Sequence, residues 1–313
     1  MDAYLFLSKR NKRKYKDCAH IKNKMKVLVF GANGWIGQQF ISNSVHNIVK
    51  ATTRPENEVD CLHEIQETSP DCVISFLGRT YGYSDNKLVN SIDYLELPGK
   101  LHENMRDNFY APFKLATICE KLNIHFVYLG TGCIYTYTDK KIFTEDDAAN
   151  FFGSAYSTVK GYTDKVLRNF TNTLQLRIRM PISKLESSRN FIDKIVSYPN
   201  ICSIANSMTV LDDMWPIIDR MIDVREVGVY NITNPGTVEH NWILQQYRLR
   251  LNPTHTWNLV GYNGQNIKSD RSNNELDTTK LERFCKDNGL SISPIKESII
   301  KCIQSRVFTE EFK

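Results

Sequence analysis

The chain has 313 residues, of which 41% are hydrophobic and 24% charged, values that exclude a fibrous or wholly disordered protein. No apolar run approaches the roughly 18 residues of a membrane span, so no membrane partner is expected. The net charge of +5 is concentrated at one end: residues 1–24 hold eight Lys/Arg and two Asp, the rest 32 Lys/Arg against 33 Asp/Glu, so the body is nearly neutral and no nucleic-acid partner is expected.

Residues 1–24 read as a basic, flexible extension. Its densest run is Lys9-Arg10-Asn11-Lys12-Arg13-Lys14. Charge runs are usually solvated; a localisation signal, an anion-binding arm or a second start at Met25 are the other readings. The apolar stretch Tyr4–Leu7 is short and precedes the charges, which does not fit a cleaved secretory signal.

From Met25 onward, short apolar runs alternate with helical stretches. Residues 26–30 predict a buried strand, followed by a glycine-rich turn over 31–37 and a helix to about Val45. Residues 47–52 predict a second strand. Asp60 is expected to cap a short helix ending at Glu67, and 72–77 predict a third strand. A long helix is expected over 101–122, a fourth strand over 125–130, a helix over 155–170 and a fifth strand over 174–179. This rhythm predicts an α/β protein with a Rossmann-like, doubly wound parallel sheet. Beyond Pro181 a short strand at 228–232 mixes with helices expected over 212–224, 239–251, 277–288 and 294–305. That part reads as a smaller C-terminal α/β region, with a long loop at 261–270.

The eight cysteines are Cys18, Cys61, Cys72, Cys119, Cys133, Cys202, Cys285 and Cys302. They form no CxxC pair and no zinc-like spacing with histidine, so no metal is expected. Reduced thiols and a cytoplasmic location are the simplest account.

Gly31-Ala32-Asn33-Gly34-Trp35-Ile36-Gly37 lies between a predicted strand and a predicted helix. In that context the first glycine permits a tight turn, the second a close backbone approach to a pyrophosphate, and the third close helix–strand packing. The helix N-terminus then favours the anion. Gly31, Asn33, Gly34, Trp35, Ile36 and Gly37 are therefore the candidate dinucleotide cradle. The end of the second strand reads Thr52-Thr53-Arg54, with no acid for an adenosine ribose and an Arg for an extra phosphate. NADPH is favoured over NADH, with Arg54 as a candidate contact. The expected division is then a 1–24 extension, a 25–180 NADP-binding domain and a 181–313 substrate region, packed on the first with some segments returning to it.

Tyr156 and Lys160 are four residues apart, on one face of a predicted helix. A neighbouring ammonium stabilises a tyrosinate and makes Tyr a usable acid near neutral pH. With the glycine turn upstream, this set resembles the extended short-chain dehydrogenase/reductase family. There a Ser or Thr ending the fourth strand completes the set, and Thr131 matches. The resemblance narrows on several segments. These are Leu129-Gly-Thr-Gly-Cys133-Ile-Tyr135, Phe143-Thr-Glu-Asp-Asp147, Asn150-Phe-Phe-Gly-Ser-Ala-Tyr156, Arg177-Ile-Arg-Met-Pro-Ile-Ser183, Arg189-Asn-Phe-Ile-Asp-Lys194, Asn206-Ser-Met-Thr209, Tyr230-Asn-Ile-Thr-Asn-Pro-Gly236 and Arg271-Ser-Asn-Asn-Glu-Leu-Asp277. Together they are similar to the bifunctional UDP-4-keto-6-deoxyglucose 3,5-epimerase/4-reductases that make UDP-L-rhamnose, over Met25 to about Ile303. Ser75-Phe-Leu-Gly78 departs from the family's Asn-Ala-Ala-Gly pattern, with Gly78 retained as a cofactor-side candidate.

The resemblance implies proton transfer by Cys133 and Lys194 during epimerisation. On that resemblance Cys133 is expected to be the base and Lys194 the acid, with the reverse open. A strand geometry would put Thr131 and Cys133 on one face. Reduction is then implied through Thr131, Tyr156 and Lys160, with Pro181 and Ile182 beside the nicotinamide. Arg271 is implied as the UDP-diphosphate ligand, and Asn190 and Asn206 as sugar or uracil contacts. Asn108 matches a family position with a structural role. Trp257 could stack on uracil or pack in the core. A homodimer is implied, as is dependence on a separate UDP-glucose 4,6-dehydratase, since no dehydratase region is seen in the chain. Two alternatives stand: a 4-keto-sugar reductase without epimerase activity, and a non-catalytic NADP-binding regulatory subunit.

Overall fold

The computed structural model describes residues 24–139, 141–261 and 270–310, with side chains as far as Arg306. The basic extension and most of the 261–270 loop expectation lie outside the described residues. Six strands form one parallel sheet: β1 (Lys26–Phe30), β2 (Asn47–Lys50), β3 (Cys72–Ser75), β4 (His125–Thr131), β5 (Thr173–Ile178) and β6 (Gly228–Asn231). Their spatial order is 2-1-3-4-5-6. β3, β4 and β5 are buried at every residue, as a parallel sheet covered on both faces requires. The chain leaves β1 for β2 on one side and returns to β3 on the other. That reversal opens a crevice at the carboxyl ends of β1 and β3, where open α/β sheets bind ligands.

The crossovers are helical: α1 (Trp35–Asn43), α2 (Glu58–Thr68), α3 (residues 101–121) and α4 (Ala155–Leu167). α2 starts earlier than expected. Asn57, not Asp60, is its N-cap, and the Asn57 side chain accepts from the Asp60 amide. α3 is continuous but contains a π turn at Arg106–Tyr110. The carbonyl of Asn108 in that turn accepts from Thr163 Oγ1 on α4 at 2.7 Å. The wider turn thus locks α3 to the helix that carries Tyr156, and π turns of this kind often accompany functional sites.

After Pro181 come α5 (Phe191–Val196), α6 (Leu211–Asp223), α7 (His240–Arg250), α8 (Thr279–Asp287) and α9 (Ile295–Glu310). α6 and α8 pack on the sheet: Met214, Trp215, Ile218, Leu281 and Phe284 share one core with Val29, Val127 and Leu176. α5, α7 and α9 bury a second core of Ile192, Ile195, Ile243, Leu244, Ile299 and Ile303.

Residues 79–100 make an excursion between β3 and α3 that no periodic pattern announces. A hairpin pairs Gly82–Ser84 with Lys87–Val89 across Asp85 and Asn86. Both turn residues have positive φ, 50° and 60°, as a two-residue hairpin turn with the sheet's twist demands. A short 3-10 helix, Ile92–Glu96, follows. Its Tyr94 and Leu95 pack with Tyr156, and Cys133 borders the same cluster. The excursion therefore covers the crevice.

Candidate active site

The glycine turn lies at the carboxyl end of β1. Gly31 has φ +78°, and a Cβ on Gly37 would sit 2.3 Å from the carbonyl oxygen of Gly31. Neither position admits a side chain, so α1 approaches the strand closely. The α1 N-terminus has no side-chain cap. Asn33 and Gly34 are exposed at the tip, while Trp35 and Ile36 pack partly against the sheet core. Uncapped amides at a helix start fit a pyrophosphate. This chain's residues therefore fit a nicotinamide dinucleotide.

The tip of β2 differs from the expectation. Arg54 is exposed there, but an acid is also present. Glu64, from α2, accepts from the Thr52 amide at 2.6 Å and its hydroxyl at 2.7 Å, and from the Thr53 amide at 3.1 Å. Partial burial opposes ionisation, yet these bonds from Thr53 and Thr52 hold its carboxyl below the usual range. The local segment lacks an acid, and the fold supplies one twelve residues downstream of Thr52.

β4 ends at Thr131, so Cys133 reaches the site through the following turn rather than by strand pleating. Thr131 Oγ1 accepts from the Cys133 amide at 3.0 Å. Tyr156 faces both residues from the first turn of α4. That helix is capped by Ser154, which accepts from the Ser157 amide at 3.1 Å, and Glu96 accepts from the Ala155 amide at 2.7 Å. Burial and the neighbouring Cys133 push the Tyr156 phenol up, while the Thr131 hydrogen bond and the Arg189 charge oppose this. Among the seven described cysteines, all but Cys133 are buried. Cys72 and Cys119 pack in the cores, where burial pushes their thiols up.

Lys160 departs from the expected partnership. Its ammonium donates to the hydroxyl of Tyr128 on β4 and lies 4.7 Å from that ring's centre. It is buried, and burial lowers its pKa to about 7, with Asp164 and Cys133 acting in the other direction. The charge that opposes the upward push on Tyr156, without overcoming it, is the guanidinium of Arg189.

Lys194, on α5, donates to the carbonyl of Asn90 at 3.1 Å. Burial first, then the charges of Arg189 and Arg271, lower its pKa to about 8. Arg189 donates to Asn90 Oδ1 at 2.9 Å and to the Thr80 hydroxyl. Its guanidinium lies 4.0 Å from the centre of the Tyr81 ring. Arg271 pairs with Asp93 at 2.8 Å. The excursion thus organises three cations on one side of the crevice. Arg189 stands in a motif segment but carried no role in the sequence reading, and Asn90 and Asp93 escaped it because neither belongs to a periodic element.

Asn190 and Asn206 correct the expectation. Asn190 is fully buried as the N-cap of α5; it accepts from the Ile192 amide and donates to the carbonyls of Ser183 and Leu185. Asn206 is fully buried as well. It accepts from Arg179 Nη2 at 2.7 Å and the Asn274 amide at 2.9 Å, and donates to Ile204 and Asn273. Both are buried with both side-chain amide hydrogens spent on the chain itself, so neither has a hydrogen left to donate to a sugar. Ile182 is also turned inward, into the second core. Pro181 is only partly buried and follows Met180, whose φ of 39° turns the chain off β5. Trp257 packs against the second core and donates to Asn241 Oδ1 at 3.0 Å. Gly78 abuts Asn108, whose side-chain amide bonds both the amide and the carbonyl of Arg79; Asn108 shapes the backbone there.

Among the described residues no group of three or more His, Cys, Asp or Glu could hold a metal ion. No described helix is long and apolar enough to cross a membrane.

No family model matches the chain. A bifunctional dTDP-4-dehydrorhamnose 3,5-epimerase/dTDP-4-dehydrorhamnose reductase of Arabidopsis thaliana is 35% identical over 288 residues, covering 88% of this chain and 91% of that protein. A trifunctional UDP-glucose 4,6-dehydratase/UDP-4-keto-6-deoxy-D-glucose 3,5-epimerase/UDP-4-keto-L-rhamnose-reductase of the same plant is 35% identical over 292 residues, 90% of this chain but 42% of that protein. The crystal structure of the L780 UDP-rhamnose synthase from Acanthamoeba polyphaga mimivirus superposes with a TM-score of 0.85 at 44% identity, covering 90% of this chain and 99% of that one. A dTDP-4-dehydrorhamnose reductase from Bacillus anthracis in complex with NADP shares the fold at TM-score 0.74 and 17% identity, over 92% of this chain and 99% of that one.

Proposed function

The chain belongs to the family of bifunctional 3,5-epimerase/4-reductases of rhamnose nucleotides, and on that premise we propose that it converts UDP-4-keto-6-deoxy-D-glucose into UDP-L-rhamnose. The observation that carries this reading is the meeting of two proton-transfer sets at one crevice. Thr131, Cys133 and Tyr156 come from β4, its following turn and α4, and Lys194 comes from α5, with the charge of Arg189 acting on both Tyr156 and Lys194.

The 4-ketone acidifies the hydrogens on carbons 3 and 5. Cys133 removes a proton, leaving an enolate whose charge rests on O4, and Lys194 returns one from the opposite face. Its pKa of about 8 leaves the ammonium able to donate near neutral pH. For reduction, Tyr156 then gives its phenolic proton to O4, and Thr131 bonds the same oxygen. Lys160, buried beneath them, would hold the cofactor's ribose. A bound nicotinamide supplies the hydride to carbon 4. Arg271 would meet the diphosphate in place of Asp93.

NADPH is the proposed cofactor, on the strength of Arg54 and of a Glu64 already engaged by Thr52 and Thr53. The ketone must be made by a UDP-glucose 4,6-dehydratase, here proposed to be a separate enzyme. Exposed Tyr110 and Phe113 on α3 and Tyr162 on α4 support a homodimer. A reduced cysteine set supports a cytoplasmic location.

Incubation with NADPH and UDP-4-keto-6-deoxyglucose, with the product identified by NMR, tests the reading. UDP-L-rhamnose is expected. A product with unchanged carbons 3 and 5 would establish a reductase alone, and NADPH binding without turnover a regulatory subunit.

A further inference from the structure

We propose that Arg189 is a positioning residue shared by both half-reactions, its guanidinium supplying the positive charge that acts on Tyr156 and Lys194 together. This rests on the roles given above to those two residues. Arg179, fully buried, meets only carbonyl, amide and hydroxyl oxygens of Gly132, Asn206, Ser207 and Ser272, and Arg189 likewise lacks a carboxylate. Arg177, Arg271 and Arg306 each pair with a carboxylate, of Asp164, Asp93 and Asp193 respectively. Arg189 has neutral partners only: the Asn90 amide oxygen, the Thr80 hydroxyl and the face of Tyr81. No carboxylate stands within ion-pair distance of it among the described residues. Desolvating an arginine without a counter-charge is costly. Its field is therefore left uncancelled, directed at the residues around it.

Those residues are the proton-transfer groups. Asn90 binds Arg189 through its side chain and Lys194 through its carbonyl, so the two cations are held on one support. Lys194 also senses Arg271, itself compensated by Asp93, while the adjacent Asp193 is taken by Arg306. Tyr156 senses Arg189 from α4, beside Cys133 and Thr131, and Tyr81 stacks from the excursion.

In the epimerisation step the C–H bond at carbon 3 or 5 breaks and its proton goes to the base. The electron pair forms a C=C bond, and the carbonyl π pair moves onto O4. Reprotonation from the other face reverses these movements, so no oxidant or reductant is consumed. The charge on O4 forms where the Tyr156 hydroxyl bonds it. A fixed cation whose charge reaches that hydroxyl stabilises the enolate at no reorganisation cost. The same cation destabilises the Lys194 ammonium and readies it to give up its proton.

The test uses the full chain and the variants R189Q and R189K. Each is given UDP-4-keto-6-deoxyglucose and NADP+ in D2O, so that deuterium entry at carbons 3 and 5 is read by NMR without reduction. Wild type should show a limb in the pH profile near 8, from Lys194. In R189Q the ammonium persists to higher pH, so the limb should move up by about 0.5–1 unit whichever way Lys194 acts. The exchange rate should fall by about tenfold or more, while KM changes less than about threefold. R189K, which keeps the charge but loses the fork, should keep the limb near 8. A raised KM with an unmoved limb would make Arg189 a substrate-binding residue and overturn the proposal. Should R189Q not fold, R189M takes its place, with the same upward shift of the limb expected and an unmoved limb overturning the proposal. Absence of exchange in wild type, with NADPH still oxidised in a parallel assay, would overturn the epimerase reading itself and the proposal with it.

Discussion

Lys194 hangs from the main-chain carbonyl of Asn90, 3.1 Å away and 104 residues earlier in the chain. The bond joins α5, in the C-terminal core, to the excursion over the crevice. A carbonyl holds the ammonium in place without neutralising it. Burial and two arginines then set its pKa near 8.

A pH dependence follows with a definite sign. Below about pH 8 Lys194 is an ammonium and can donate; above it the donor is lost. If Lys194 is the acid of epimerisation, deuterium exchange at carbons 3 and 5 should decline as pH rises through 8. Lys194→Met should abolish exchange together with that limb. A rising limb at the same pH would exchange the roles of Cys133 and Lys194.

Cys133→Ala should separate the two activities. Proton transfer by a positioned side chain contributes about 10²–10⁴-fold, so inversion should fall by that range. Reduction of an already epimerised 4-keto-L-rhamnose nucleotide should stay within a few-fold of wild type, because Tyr156 and Thr131 are untouched. NADPH oxidation on the two substrates, measured side by side, checks this.

Asp164 meets Arg177 in a two-bonded pair, at 2.7 and 2.8 Å, with the Arg177 side chain fully buried. Asp164→Asn leaves that guanidinium without its counter-charge. The cost should be about 3–5 kcal/mol, a fall in Tm of roughly 10 °C for a protein of this size. Asp164 also favours the charged form of Lys160, so the variant should lose reductase activity at neutral pH while still folded at 20 °C.

Gly37→Ala should remove dinucleotide binding, because the new Cβ meets backbone that cannot retreat, 2.3 Å away. Fluorescence titration with NADPH would show loss of saturable binding. Arg54→Ala should be milder, weakening NADPH about tenfold through loss of one charged phosphate contact and leaving NADH nearly unchanged. Equal losses for both cofactors would remove Arg54 from the phosphate site.

Much of the frame was legible because it is written in local patterns. Continuous apolar runs announced the six strands. The glycine spacing announced the β1–α1 turn, and the four-residue interval put Tyr156 and Lys160 on one helix face. Where the reading missed, a distant partner had won. Asn57 captured the start of α2. Glu64 reached back to Thr52 and Thr53 from the next helix. Asn190 and Asn206 sat in motif segments beside charged neighbours and read as ligands, yet became a helix cap and the centre of a buried network around Arg179. Lys160 was expected to tune Tyr156 and instead binds Tyr128.

The sequence by itself determined the parallel sheet and the dinucleotide turn and placed Tyr156 and Lys160 on one helix face, since these depend on residue type and on spacings of a few residues. Only the tertiary structure decided how those groups are charged. Whether a cation is cancelled by a carboxylate or left facing a phenol depends on residues brought together across roughly a hundred positions, as Arg189 is with Asn90 and Thr80. Coulomb energies in a poorly solvated crevice are set by such through-space distances, which no local pattern encodes.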